Sequence, residues 1–149
     1  MTPNLPSLLY ALLLVALLQG PAAAAADLPT VTVYKSATCG CCTRWAEHMR
    51  QQGFTVTTHD VADVGAERRR LGMWDGFSAC HTAVVGGYVV EGHVPASDIK
   101  RLLAEKPKAL GLAVPNMPNG SPGMESPRPV PYDVLLVQNN GSVRTFAQH

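Results

Sequence analysis

From residue 31 onward the apolar positions follow two periods. Val31-Thr-Val-Tyr-Lys35 has the β-branched, every-second-residue pattern of a strand, and residues 54–60 repeat it with alternating valine and threonine. Between them Trp45, His48, Met49 and Gln52 recur at helical spacing, which predicts a helix over residues 43–52 with Gly53 as its C-terminal cap. Residues 66–71 read as a short helix closed by Gly72. Residues 82–85 and 88–91 form two strands joined by Gly86-Gly87, whose permissive φ values suit a tight hairpin, so an antiparallel edge is expected there. Residues 95–105 place Ile99, Leu102 and Leu103 on one helical face, and Lys106-Pro107 ends that helix. Residues 132–137 and 143–146 flank Asn139-Asn140-Gly141 and make a second hairpin.

The stretch 106–131 differs in kind. Prolines from Pro107 to Pro131 and Gly111, Gly120 and Gly123 interrupt it so often that no regular element is expected, and the methionines Met117 and Met124 favour a functional loop. The order is β-α-β-α-β-β-α, an α/β domain with a C-terminal hairpin and a long Pro/Gly/Met loop added. With a cysteine turn after the first strand it resembles the thioredoxin-like fold, although the order alone fits other α/β folds.

Ahead of the patterned region, residues 8–18 are almost unbroken apolar sequence, followed by Gln19-Gly20-Pro21 and five alanines. Such a run is too short for a membrane span, which needs about 20 residues, and suits a secretory signal peptide over residues 1–26. The leader carries no lysine or arginine, so an uncleaved N-terminal anchor is the alternative. Cleavage near Ala26-Asp27 leaves residues 27–149 as a single domain with a genuine core, exported to the periplasm by a Sec-type route and free of the membrane. The formal net charge of +1, with both signs interleaved, gives no footprint for nucleic acid or an anionic surface, and Arg68 to Arg70 reads as a solvated helix face.

Export alters how the four cysteines are read, because free thiols in an oxidising compartment must be kept reduced or occupied by metal. Cys39, Cys41 and Cys42 cannot all pair with one another, and neighbouring cysteines are poorly placed for a disulfide, so convergent thiolates are the natural reading. The turn lies where a helix begins, and the helix N-terminus favours the thiolate that metals bind. Two alternatives stand beside this one: a disulfide framework using all four cysteines, and a C-x-x-C redox pair of Cys39 and Cys42 that leaves Cys41 without a role.

Cys80-His81 comes just before the third strand, where a thioredoxin-like sheet brings the chain to the cysteine turn. Thioredoxins have a cis-proline there, and two metal-ligating side chains in its place suit a position that faces a metal. A buried structural Cys80 with a surface His81 is the alternative. His93 follows the hairpin and could reach the same end of the sheet, though a loop histidine alone is usually just solvated. Met117 and Met124 sit where helix or strand packing does not explain a methionine. Thioethers select Cu(I) over Zn(II), while the bland reading makes them plugs that fold the loop onto the core. His48, Met49 and Met73 read as packing residues and His59 as a strand surface residue.

Val33-Tyr34-Lys35-Ser36 leading into Thr38-Cys-Gly-Cys-Cys42, then Cys80-His-Thr-Ala83, Tyr88-Val-Val-Glu-Gly-His93-Val-Pro95 and Gly120-Ser-Pro-Gly-Met124, together resemble the small periplasmic copper-resistance proteins called CopG. The resemblance covers the chain from about residue 31 to residue 149. It implies a thioredoxin-like fold whose cysteines bridge a cluster of several copper ions completed by histidine and methionine. It further implies a role in copper tolerance that can include interconverting Cu(I) and Cu(II). The ligand set it implies is Cys39, Cys42, Cys80, His81, His93, Met117 and Met124, with Cys41 close by or bridging and His149 a further candidate.

The expectation is therefore a periplasmic copper-binding protein of copper resistance, with copper ions and other periplasmic copper-handling proteins as partners and no turnover of a substrate required. A periplasmic thiol-disulfide oxidoreductase acting through Cys39 and Cys42 is the runner-up. An iron–sulfur protein on the same fold is weakened because Sec-type export passes an unfolded chain and no twin-arginine signal is present.

Overall fold

The computed structural model describes residues 27–149; the leader expected over residues 1–26 lies outside the described residues. Strand β1 (Val31–Lys35) buries Val31, Val33 and Lys35 on one alternation, and the Lys35 ammonium reaches Asp60 at 2.8 Å. Helix α1 (Gly40–Gln51) begins three residues before the expected start, because Cys39 acts as its N-cap and its Sγ accepts from the Cys42 amide. α1 packs Cys42, Trp45, Ala46 and Met49 inward. Strand β2 (Val56–Asp60) is the exposed edge beside β1, and His59 there stacks on Tyr34 at the surface.

Helix α2 (Val64–Arg70) is capped by Asp63, whose carboxylate accepts from the Ala66 amide. The expected solvated face fails at Arg68, which is buried and paired with a buried carboxylate on β4, while Arg69 and Arg70 stay exposed. The arginine stem covers apolar surface, and a buried partner offsets part of the cost of burying its charge. A 3-10 turn (Asp75–Phe77) leads to β3 (His81–Val85), β4 (Tyr88–Gly92) and helix α3 (Ala96–Glu105). Then come β5 (Gly111–Val114), β6 (Asp133–Val137) and β7 (Val143–Gln148).

All seven strands form one sheet in the order β2-β1-β3-β4-β5-β6-β7. β1 and β2 are parallel and β3 is antiparallel to both β1 and β4, so the mixed α/β class and the antiparallel β3-β4 pair follow the sequence pattern. Two expectations need correction. β4 is not an edge, since it pairs in parallel with β5. The Pro/Gly-rich stretch does contain a regular element, because residues 111–114 are an apolar run buried on both faces, and Pro115 falls just past the strand, where no ladder donor is lost. The C-terminal hairpin then continues the same sheet through β6.

Val31, Trp45, Ile99, Leu102, Leu112 and Leu136 belong to the main core, and Met73, Val89, Ala113 and Val137 form a smaller one. Strand alternation places the smaller core on the opposite face of the sheet. The pairings Lys35 with His81, Thr82 with Glu91 and Gly92 with Val114 put four chain exits at one pole. The cysteine turn, Cys80-His81, His93 and the methionine loop all leave the sheet there.

Candidate metal centre

Four sulfurs meet at that pole. Cys39 and Cys42 are joined as a disulfide, with Cα atoms 5.4 Å apart, and Cys41 and Cys80 are free. The Cys41 sulfur lies 3.4 Å from Cys39 and 3.5 Å from Cys80, and Cys80 lies 3.3 Å from Cys42, so each sulfur touches two others. Convergence therefore holds for all four cysteines, but two of them are present as a C-x-x-C disulfide rather than as thiolates. A three-residue separation within the first helical turn brings their Cα atoms to the ordinary disulfide range.

Cys80 is also the meeting point with the imidazoles. Its sulfur lies 3.0 Å from His93 Nε2 and 3.6 Å from His81 Nδ1. The donor atoms of Cys39, Cys41, Cys42 and Cys80 fall within 4.8 Å of one another, and so do those of Cys80, His81 and His93. His93 Nδ1 sits 2.8 Å from the Pro122 carbonyl, an acceptor only, so Nδ1 carries the proton and the Nε2 lone pair faces Cys80. His81 is fully buried against the Trp45 ring at 4.4 Å, and its Nε2 has no hydrogen-bond partner among the described residues. A buried imidazole nitrogen without a partner carries a desolvation cost that nothing among the described residues offsets.

The methionine loop lies on top of this arrangement. Gly123 (φ +85°) comes so close to α1 that a Cβ there would stand 2.7 Å from the Cys41 carbonyl oxygen and 2.8 Å from the Trp45 amide nitrogen. Arg44 Nε donates to the Gly123 carbonyl at 3.0 Å. Met124, half-buried, follows directly, whereas Met117 is 38% exposed earlier in the loop. His149 is engaged elsewhere, with its Nε2 2.7 Å from Asp98 and its ring stacked on Tyr132, and it does not join the cysteine group. His48 Nε2 accepts from the Ala96 amide at 3.3 Å, so it braces α3 from α1.

Sequence reasoning passed over the parts that support these donors. Trp45 was legible only as a helical core position, yet its ring carries His81 and its Nε1 donates to the Val94 carbonyl. Arg68 and Glu91 hold the Ala79 peptide just before Cys80. The signal for Glu91 was a lone carboxylate inside the apolar run Tyr88-Val-Val.

Burial pushes the Cys80 thiol up to about 12, with Cys41 adding to the shift. Burial drives His81 well below the ordinary histidine range, helped by neighbouring His93, and burial lowers His93 too. Both imidazoles are thus neutral, the form that binds metal. Because their folded-state values lie below about 6.5, their contribution to stability is present above that pH and is lost as pH falls through the folded values. The metal-free protein should lose up to about 1.4 kcal/mol per pH unit for each histidine below about pH 6.5, read from urea midpoints. Burial raises the Glu91 carboxyl, which acts with the opposite sign. The comparison is therefore with His93→Gln, which leaves Glu91 in place and should flatten the slope; an equal slope in that variant would remove His93 from the account.

A family model described as "Protein of unknown function, DUF411" matches residues 77–124, which hold Cys80, His81, His93, Met117 and Met124. No curated protein matches the chain. Two solved structures, "Copper resistance protein copG- Form 1" and "Copper resistance protein copG- Form 2", are each 42% identical to it and cover 83% of it. The alignment takes in 98% and 99% of those chains, with TM-scores of 0.77 and 0.78.

Proposed function

The chain belongs to the CopG family of copper resistance proteins, and from that premise we propose that it holds Cu(I) in a multinuclear, cysteine-bridged site at the cysteine pole of the sheet. The ligands in this reading are Cys39, Cys41, Cys42, Cys80, His81 and His93, with Met124 and Met117 supplied by the loop that lies across them. One observation carries it: the Cys80 sulfur belongs at once to the four-sulfur group and to the Cys80, His81, His93 group. A thiolate has lone pairs for more than one soft ion, so a shared cysteine between two donor groups suits at least two coppers. Imidazoles beside thiolates also support Cu(II), which is the chemical basis for interconverting the two oxidation states.

Loading all four sulfurs requires the Cys39–Cys42 disulfide to take up two electrons and two protons, and a dithiol reductant supplies both as it closes its own disulfide. Each thiol then releases its proton to solvent as copper takes the proton's place on sulfur. The reading further takes the chain as exported to the periplasm with residues 1–26 as the leader, residues 27–149 as one domain, and copper-handling proteins of that compartment as partners. Among the described residues no helix is long and apolar enough to cross a membrane. The test is anaerobic titration of the reduced protein with Cu(I) and metal analysis of the product. More than one copper per chain is expected; binding of zinc alone, or of no metal, overturns the reading.

The closed Cys39–Cys42 pair favours one second reading, a thiol-disulfide oxidoreductase. The two are separated by Cys41→Ala and Met117→Ala. For the copper site both changes should lower copper affinity or stoichiometry, Cys41→Ala by about 10-fold or more. For an oxidoreductase, insulin reduction should survive both and vanish with Cys39→Ala.

A further inference from the structure

Glu91 and Arg68 form a buried ion pair that the donor groups do not include, and both residues touch the chain at Ala79. Glu91 Oε1 accepts from Arg68 Nε at 2.8 Å and from the Ala79 amide at 2.8 Å. Arg68 Nη2 donates to the Ala79 carbonyl at 2.9 Å. Ala79 is thus gripped on both sides by one pair of side chains, and its carbonyl belongs to the peptide that joins it to Cys80. The grip comes from two separate elements, since Arg68 stands on α2 and Glu91 on β4. Arg68 also approaches Asp75, at 3.6 Å, in the 3-10 turn of the same connection.

A buried ion pair brings little net stability over apolar residues of similar volume, because both charges must be desolvated. Its retention under the Cys80 loop therefore calls for a role that apolar packing does not fill. We propose that Arg68 and Glu91 are positioning residues for Cys80: Glu91 fixes the Ser78–Ala79 peptide and Arg68 the Ala79–Cys80 peptide, and together they aim the Cys80 sulfur at Cys41, Cys42, His81 and His93. Among the described residues no other sulfur has four such partners within 3.6 Å, so a small rotation of the Ala79–Cys80 peptide shifts its contacts with both donor groups together. Outer-shell hydrogen bonds of this kind typically set metal affinity within 10–100-fold. The effect on copper rests on the copper reading above, whereas the aim of the sulfur does not.

Removing Glu91 alone leaves the buried Arg68 with only the exposed Asp75 as countercharge and can unfold the chain, so the pair is replaced together as Arg68→Met/Glu91→Leu, which keeps volume and removes both buried charges. The first measurement uses metal-free protein with its disulfide intact, in which Cys41 and Cys80 are the free thiols. Maleimide labelling of Cys80 relative to Cys41, mapped by mass spectrometry, should rise at least about threefold in the double variant, as local opening frees the Cys80 loop. The second measurement is Cu(I) competition against bicinchoninate on reduced protein, with an expected affinity loss of about 10–100-fold and a shifted ultraviolet thiolate-to-copper band. Should the double variant fail to fold, Arg68→Lys keeps the charge and loses the forked contact with the Ala79 carbonyl, and the same two readouts decide. An unchanged labelling ratio in a folded variant overturns the clamp whatever copper does. If the wild-type chain binds no copper, the function reading falls, and the labelling ratio still decides the clamp by itself.

Discussion

Cys80→Ala is expected to lower Cu(I) affinity by about 100-fold or more, at or beyond the top of the range that outer-shell partners control, and to reduce the copper bound per chain. The reason is its place in the geometry. Cys80 touches Cys41, Cys42, His81 and His93 within 3.6 Å, so its loss removes a donor from both groups at once. Cys41→Ala takes a donor only from the four-sulfur group and should cost less. Folding should be little affected, because Cys80 is only half-buried and its hydrogen-bonded anchor, Ala79, is unchanged. A competition titration with bicinchoninate, run beside metal analysis and a urea melt, separates the two effects. Wild-type copper affinity in Cys80→Ala would mean that the two donor groups do not share a ligand.

The largest effect on folding is expected at Gly111→Ala. A Cβ at Gly111 would stand 1.7 Å from the Val89 carbonyl oxygen and 2.6 Å from its carbon, which are backbone atoms of β4. β4 cannot retreat, because β3 holds its other side. Overpacking a core side chain costs about 1–3 kcal/mol; a clash with the backbone of an interior strand should exceed that and reach about 4 kcal/mol, or prevent folding. Gly76 provides the control, since nothing lies within 4 Å of its Cβ position, and Gly76→Ala should stay within about 0.5 kcal/mol of wild type. Urea midpoints at constant m-value decide it. If Gly111→Ala unfolds at the wild-type midpoint, the close approach of β5 to β4 is wrong, and with it the path that carries the methionine loop to the cysteine pole.

That strand also marks the limit of what periodicity can tell. Residues 111–114 are only four long, begin with a glycine and are followed by a proline, so local preference points to a loop. What makes them a strand is β4 on one side and β6 on the other, neither of which is visible in a four-residue window. Arg68 follows the same logic. Three consecutive arginines read as a solvated face, and only the fold brings a buried carboxylate to the middle of the α2 face that turns inward. By contrast β1, α1 and the two hairpins were legible, because each has a period or turn chemistry of its own.

For the site, residue chemistry along the chain was enough to single out Cys39, Cys41, Cys42 and Cys80-His81 as candidates, since soft donors at such density have few other uses, whereas His93 came in through the family resemblance. It ranked the cysteines first without ordering them among themselves, and it left His149 a loosely held candidate, whose ring is engaged by Asp98 and Tyr132. Nor could it reveal that Cys39 and Cys42 close on each other, that Cys80 is shared by both donor groups, or that Arg68 and Glu91 grip the residue before it. Donor identity is a property of single residues and survives in a linear reading. Sharing and support are relations between separate segments, 38 positions apart in the case of Cys42 and Cys80, and they arise only when strand register brings those segments to one end of the sheet.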